Sequence, residues 1–137
     1  MIKIVLDAGH GPDTPGKRTP KFDDGSFMHE HEFNNAVVQK LKGKLNAVGE
    51  FAVTVVSSQT EDVPLANRVA LEREIKADLF LSVHANALNN YWGNPKGIES
   101  FYNKGSYNGE QYCNLIQDNL IEATGMVNRG AKSAPGS

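Results

Sequence analysis

Two histidines stand just beyond short apolar runs: His10 after Ile4-Val5-Leu6-Asp7-Ala8-Gly9, and His84 after Leu79-Phe80-Leu81-Ser82-Val83. Neutral imidazole is a good zinc ligand, and two imidazoles with one carboxylate leave a four-coordinate metal one open position, as catalytic sites do. A metal so held polarises a carbonyl and lowers the pKa of its water to about 7, so these residue types suggest hydrolysis of an amide or ester. Cys113 is the chain's single cysteine. It can form neither an internal disulfide nor a thiolate cluster, which leaves nitrogen and oxygen to hold any zinc.

The carboxylate is sought in His29-Glu30-His31-Glu32, which opens a segment with apolar residues Phe33, Val37, Leu41, Leu45 and Val48 at helical spacing. At about 100° per residue Glu30 shares that stripe, whereas Glu32 points about 200° away, toward Ala36, Gln39 and Lys40. Helical phase therefore favours Glu30, with His29 its nearest rival on the edge of the stripe. Glu32 is read as an acidic residue complementing the helix dipole. A competing motif, Gly11 to Lys17, has the glycine and lysine spacing of a phosphate-binding loop. Arg18 stands where Ser or Thr would hold magnesium, and Thr19-Pro20 opposes a following helix, so that reading is set aside.

Positioning these groups requires strands and helices in alternation. Residues 2–7 form a strand apolar enough to be covered on both faces. Residues 11–27, with three prolines and three glycines, form a long loop of the kind that is usually functional or disordered. A helix follows from about Met28 to Val48, then a β-branched strand from Phe51 to Val56. Asp62 and Pro64 mark the start of a second helix carrying Leu65, Val69, Leu71 and Ile75. Leu79–Val83 and Ile98–Tyr102 supply two more strands, joined by a polar and aromatic loop over 89–95 suited to lining a groove. A last helix spans about Asn108 to Ala123, with Tyr112, Leu115, Ile116, Leu120 and Ile121 inward; the segment from Asn128 lacks apolar periodicity and reads as a loop. The implied fold is a single three-layer α/β domain, a mostly parallel twisted sheet with helices on both faces. Both histidines then lie at the carboxyl edge, where such sheets place their chemistry.

A chain of 137 residues suits one domain with an ordinary core. The formal charge of −2 argues against a nucleic-acid partner, and no apolar run reaches membrane-spanning length. Ile2–Leu6 reads as a strand rather than a signal peptide, so export is expected to use lysis, a helper or a leader outside this chain.

Several runs resemble, in order and across essentially the whole chain, the zinc-dependent N-acetylmuramoyl-L-alanine amidases of the type 3 family, found in bacteria and phages. They are Leu6-Asp7-Ala8-Gly9-His10-Gly11, Glu30-His31-Glu32-Phe33-Asn34, Leu65-Ala66-Asn67-Arg68-Val69, Ala77 through Ala87, Gly97 through Tyr102, and Asn128-Arg129-Gly130. The resemblance implies a cell-wall hydrolase, autolysin or endolysin, that cleaves the amide between N-acetylmuramic acid and L-alanine in peptidoglycan. It implies one Zn2+ on His10, Glu30 and His84, with Arg68 and Asn86 toward the substrate. The family also carries a general acid/base glutamate some tens of residues beyond the Arg-Gly loop, which this chain does not reach. Glu99 is the remaining carboxylate near a strand and the candidate for that role. Residues 1–132 are thus expected to be a catalytic domain lacking its C-terminal part, and 133–137 a linker or added tail. An alternative is a zinc-holding peptidoglycan-binding fragment with impaired turnover; a further one is a zinc hydrolase acting on another amide. An uncovered sheet edge would invite self-association.

Overall fold

The structure is a computed structural model that describes residues 1–87 and 90–134. Its elements run β1 (Ile2–Ala8), α1 (Glu30–Val48), β2 (Phe51–Val55), α2 (Leu65–Ile75), β3 (Leu79–Val83), β4 (Ile98–Tyr102), α3 (Tyr107–Thr124) and β5 (Asn128–Ser133). They fall into two compact units, Met1–Trp92 and Gly93–Ser137.

In the first unit three parallel strands lie in the order β2-β1-β3. Each crossover is a helix, which is what makes neighbouring strands parallel. Leu6 pairs with Val55 on one side and Leu81 on the other, and Ala8 with Val83. As the central strand β1 is flanked on both edges and covered on both faces, and Ile4 to Ala8 are all buried. Alternation sends Ile4, Leu6 and Ala8 to one face, where they cluster with Val38 of α1 beside Leu41 and Leu45. Asp7 faces the opposite side, where Arg68 of α2 meets it. Helices therefore cover both faces, the three-layer α/β arrangement that the alternating pattern predicts.

The inward stripe of α1 differs from the expected one. Its buried residues are Glu30, His31, Asn34 and Val38, while Phe33 is 44% exposed and Val48 largely so. Polar side chains take the inward positions of the first turns because the end of β1 offers them hydrogen-bond partners. Gly49, in the left-handed conformation at φ 80°, ends the helix. Among the described residues no helix is long and apolar enough to cross a membrane.

In the second unit β4 and β5 pair in parallel, connected by α3, with a register shift between Ile98 and Ser100. The segment from Asn128, read as a loop from its sequence, is thus a strand. Its pairing is made by backbone groups, and Gln117 of α3 supplies a buried polar anchor in place of an apolar face. The Gln117 amide donates to the Ile98 carbonyl at 2.7 Å and to Asn128 Oδ1 at 2.8 Å, and accepts from Ser100 Oγ at 2.8 Å. The inner face of α3 is correspondingly Cys113, Ile116, Gln117 and Ile121, rather than Tyr112, Leu115 and Leu120, which are exposed. β5 runs one residue into the expected 133–137 tail, and the Ala134 N–H donates to Tyr102 O at 2.7 Å; residues 135–137 lie outside the described residues. So do Leu88 and Asn89, the latter in the expected groove-lining loop. Trp92 of that loop packs on Phe22 and donates its Nε1–H to the Lys21 carbonyl at 3.1 Å.

Candidate metal centre

Parallel pairing of β1 with β3 brings the two histidines together. The Gly9 N–H extends the ladder onto Val83 O at 2.9 Å, after which the chain turns sharply, with His10 in the left-handed region at φ 59°. That conformation is unfavourable for a residue with a Cβ and persists only where surroundings impose it. Gly9 is required by close approach: a Cβ there would overlap the His84 imidazole. The rings of His10 and His84 lie edge to face, centroids 5.1 Å apart.

Glu30, in the first turn of α1, completes the group. Its Oε1 accepts the Ala85 backbone N–H at 3.0 Å and lies 3.1 Å from His84 Nδ1. Asn34, one turn along the helix, also donates to Oε1 at 3.4 Å and to the Gly9 carbonyl at 3.0 Å. Oε2 stands 3.4 Å from His10 Nε2. Donor atoms of His10, Glu30 and His84 all lie within 4.8 Å of one another. One oxygen of the Glu30 carboxylate stands 3.4 Å from His10 Nε2 and the other 3.1 Å from His84 Nδ1, so two imidazoles flank one carboxylate, a nitrogen and oxygen donor set that suits zinc. The carboxylate is buried (9% exposed), whereas the imidazoles are 25% and 43% exposed, so the open side of the group faces outward. Burial lowers the pKa of His10 against the opposing pull of Glu30. The shift favours the neutral ring, the form a metal takes.

His10 and His84 line a cleft of about 520 Å³, walled further by Asp62, Val63, Pro64 and Leu65. Glu32 is not among the donors: its carboxylate accepts the His29 N–H at 2.6 Å, closing the start of α1, as expected of a first-turn acidic residue. His29, the rival ligand, is not among them either. Asn86 is exposed just beyond His84. Arg68 is 4% exposed with its guanidinium directed onto protein groups. Glu99 lies in the second unit, on β4, where its carboxylate accepts from Lys132 Nζ at 2.8 Å and pairs with Arg129 at 3.6 Å. The hydrogen bond from Lys132 lowers its pKa, with the charges of Arg129 and Lys132 adding to it.

Two further residues support the site, of which the sequence marked Asn34 by its place four residues after Glu30 and gave no sign of His31. His31 is buried with Nδ1 3.3 Å from the Gly9 carbonyl, and Asn34 orients both that carbonyl and Glu30. The spacing of four residues sets Asn34 on the same inward face as Glu30.

The fold and the site together define a class: the chain belongs to the N-acetylmuramoyl-L-alanine amidase family, whose pattern matches residues 4–137. Among individual relatives it is 34% identical over 133 residues to the N-acetylmuramoyl-L-alanine amidase LytC of Bacillus subtilis (strain 168), covering 96% of this chain and 25% of that protein. It is 33% identical over 141 residues to the endolysin of Bacillus phage SPP1, covering 98% of this chain and 48% of that protein. The solved catalytic domain of CwlV, an N-acetylmuramoyl-L-alanine amidase of Bacillus (Paenibacillus) polymyxa var. colistinus, superposes with a TM-score of 0.80 at 26% identity, over 98% of this chain and 70% of that one. The chain thus spans from a quarter to about half the length of these two curated relatives.

Proposed function

We propose that this chain carries the zinc site of a peptidoglycan amidase and hydrolyses the amide between the lactyl group of N-acetylmuramic acid and L-alanine, acting at the cell wall. The observation that supports this reading most is the convergence of His10, Glu30 and His84, the two histidines lining a cleft, in a chain of this family. Zinc held there would polarise the scissile carbonyl and acidify a water. The chain's own residues prepare the site. Ala85 N–H and the Asn34 amide fix Oε1 of Glu30, which leaves Oε2 aimed toward His10. Burial lowers the pKa of His10 and so favours its neutral form. Val63, Pro64 and Leu65 form an apolar wall beside the donors, against which the lactyl and alanine methyl groups pack and exclude water.

Glu99 is the candidate for proton transfer that the family resemblance suggests, and the hydrogen bond from Lys132 lowers its pKa, which favours the form of a base. Glu99→Gln should then slow hydrolysis by about 10²–10⁴-fold; unchanged hydrolysis removes Glu99 from the chemistry. The test of the reading as a whole is incubation of the zinc-loaded protein with purified cell walls. About one zinc per chain and the appearance of new L-alanine amino termini are expected. Sedimentation with walls without new termini favours the non-hydrolytic wall-binding alternative, and cleavage of other amides in preference to wall material favours a different substrate.

A further inference from the structure

Arg68 is almost fully buried, and its guanidinium has five N–H groups, each of which meets an acceptor. Nε donates to Val63 O at 2.7 Å; Nη1 donates to Ala8 O at 2.8 Å and to the Asp7 carboxylate; Nη2 donates to His10 O at 2.8 Å and to Asp62 Oδ1 at 2.9 Å. No donor remains for a substrate. We infer that Arg68 is a positioning residue, whose guanidinium clasps the carbonyls on either side of Gly9 and so holds His10 in the left-handed turn that aims its imidazole at Glu30.

The clasp extends to every segment that frames the turn. Asp7, held by Arg68, also accepts from Ser82 Oγ of β3 at 2.7 Å. Asp62 accepts from Thr14 Oγ1 at 2.5 Å, and that hydroxyl accepts the Gly11 N–H at 2.8 Å. The Asp62 N–H in turn donates to Asp13 Oδ1 at 2.7 Å, and Gly11 lies so close to the Asp62 backbone that a Cβ would overlap it. One planar fork thereby joins β1, α2 and the loops on both sides of His10. Lysine cannot substitute: its ammonium is a point charge with three donors, able to pair with Asp7 but not to span Ala8 O, His10 O and Val63 O together.

Because this inference rests on the zinc reading, its test separates the two. Zinc affinity of wild type and Arg68→Lys is measured by competition with a chromophoric chelator, with the visible spectrum of the cobalt-substituted proteins and amide hydrogen exchange of Gly11 in the metal-free proteins alongside. Expected are a cooperative melt for Arg68→Lys, a zinc affinity lower by about 10–100-fold, an altered cobalt spectrum and faster Gly11 exchange. A folded Arg68→Lys with affinity within about twofold of wild type and the same cobalt spectrum overturns the inference. Should Arg68→Lys fail to fold, the double variant Asp7→Asn/Arg68→Gln decides, because it removes the fork without leaving the buried Asp7 carboxylate unpaired: weakened zinc binding supports the clasp, and wild-type binding overturns it. Absence of zinc binding by the wild type counts against the zinc reading alone. Gly11 exchange then decides for Arg68, and equal rates in the two proteins overturn its role.

Discussion

Replacing Glu30 by glutamine tests the metal centre with little change in shape. The amide can keep its oxygen on the Ala85 N–H and Asn34, which now hold Oε1, but it puts an NH2 group where Oε2 faces His10 Nε2. A donor replaces a ligand. Spread over four ligands, the roughly 10–16 kcal/mol of a structural zinc site corresponds to about 3 kcal/mol per ligand, or about 100-fold in affinity. Zinc at about 100 times its dissociation constant stabilises the wild type by about 2.7 kcal/mol, whereas a 100-fold weaker site gains only about 0.4 kcal/mol at the same concentration. At about 4 °C per kcal/mol for a chain of this size, the zinc-induced rise in Tm falls from about 10 °C to about 2 °C. Differential scanning calorimetry with and without zinc reads this directly, and the metal-free Tm should hardly move. A Glu30→Gln protein that keeps the full zinc-induced rise refutes the assignment of Glu30 as a ligand.

Gly9→Ala drives a Cβ into the His84 imidazole and should displace that ligand, abolishing zinc uptake by metal analysis while secondary structure by circular dichroism is kept. Leu6, fully buried in the central strand, should lose about 2–5 kcal/mol of stability on change to alanine, read from urea denaturation. Burial raises the pKa of the Cys113 thiol, so the unfolded chain ionises first as the pH climbs. Stability should therefore be steady below about pH 8.5 and fall above it, with Cys113→Ala flattening that alkaline decline in denaturation midpoints. For the same reason a disulfide reagent should label Cys113 at the rate of unfolding rather than at once.

The metal centre was legible because its residues sit at positions set by simple periodicities. β1 and β3 are short, apolar and bounded, and Glu30 follows from helical phase although the rest of the predicted stripe does not. Phe33 was expected inward and is not, because the carbonyl of Gly9 draws Asn34 and His31 to that face, a tertiary demand that no local pattern encodes. β5 escaped notice for a related reason: Asn128 to Ser133 contains no apolar alternation, and it becomes a strand through ladder bonds to β4 and the amide of Gln117. The bonds of Arg68 were equally hidden, since its partners Asp7, Ala8 and His10 lie some sixty residues earlier. Asp7 was the clue available, an acidic residue in an otherwise apolar central strand that requires a buried partner.

The placement of β1 between β2 and β3 also governs how the site comes into being. Its contacts with β2 span about fifty residues and those with β3 about seventy-five, as the pairs Ile4–Val53 and Ile4–Leu79 show. Loops of that length must close before the strands gain anything from pairing, which makes such topologies slow to fold. α1 can bring Glu30 near β1 early, but His84 arrives only with the third strand. Of the three donors, His84 is therefore the one whose arrival depends on the longest loop closure, and the full set exists only where β3 is paired to β1. The centre reports on completion of the sheet.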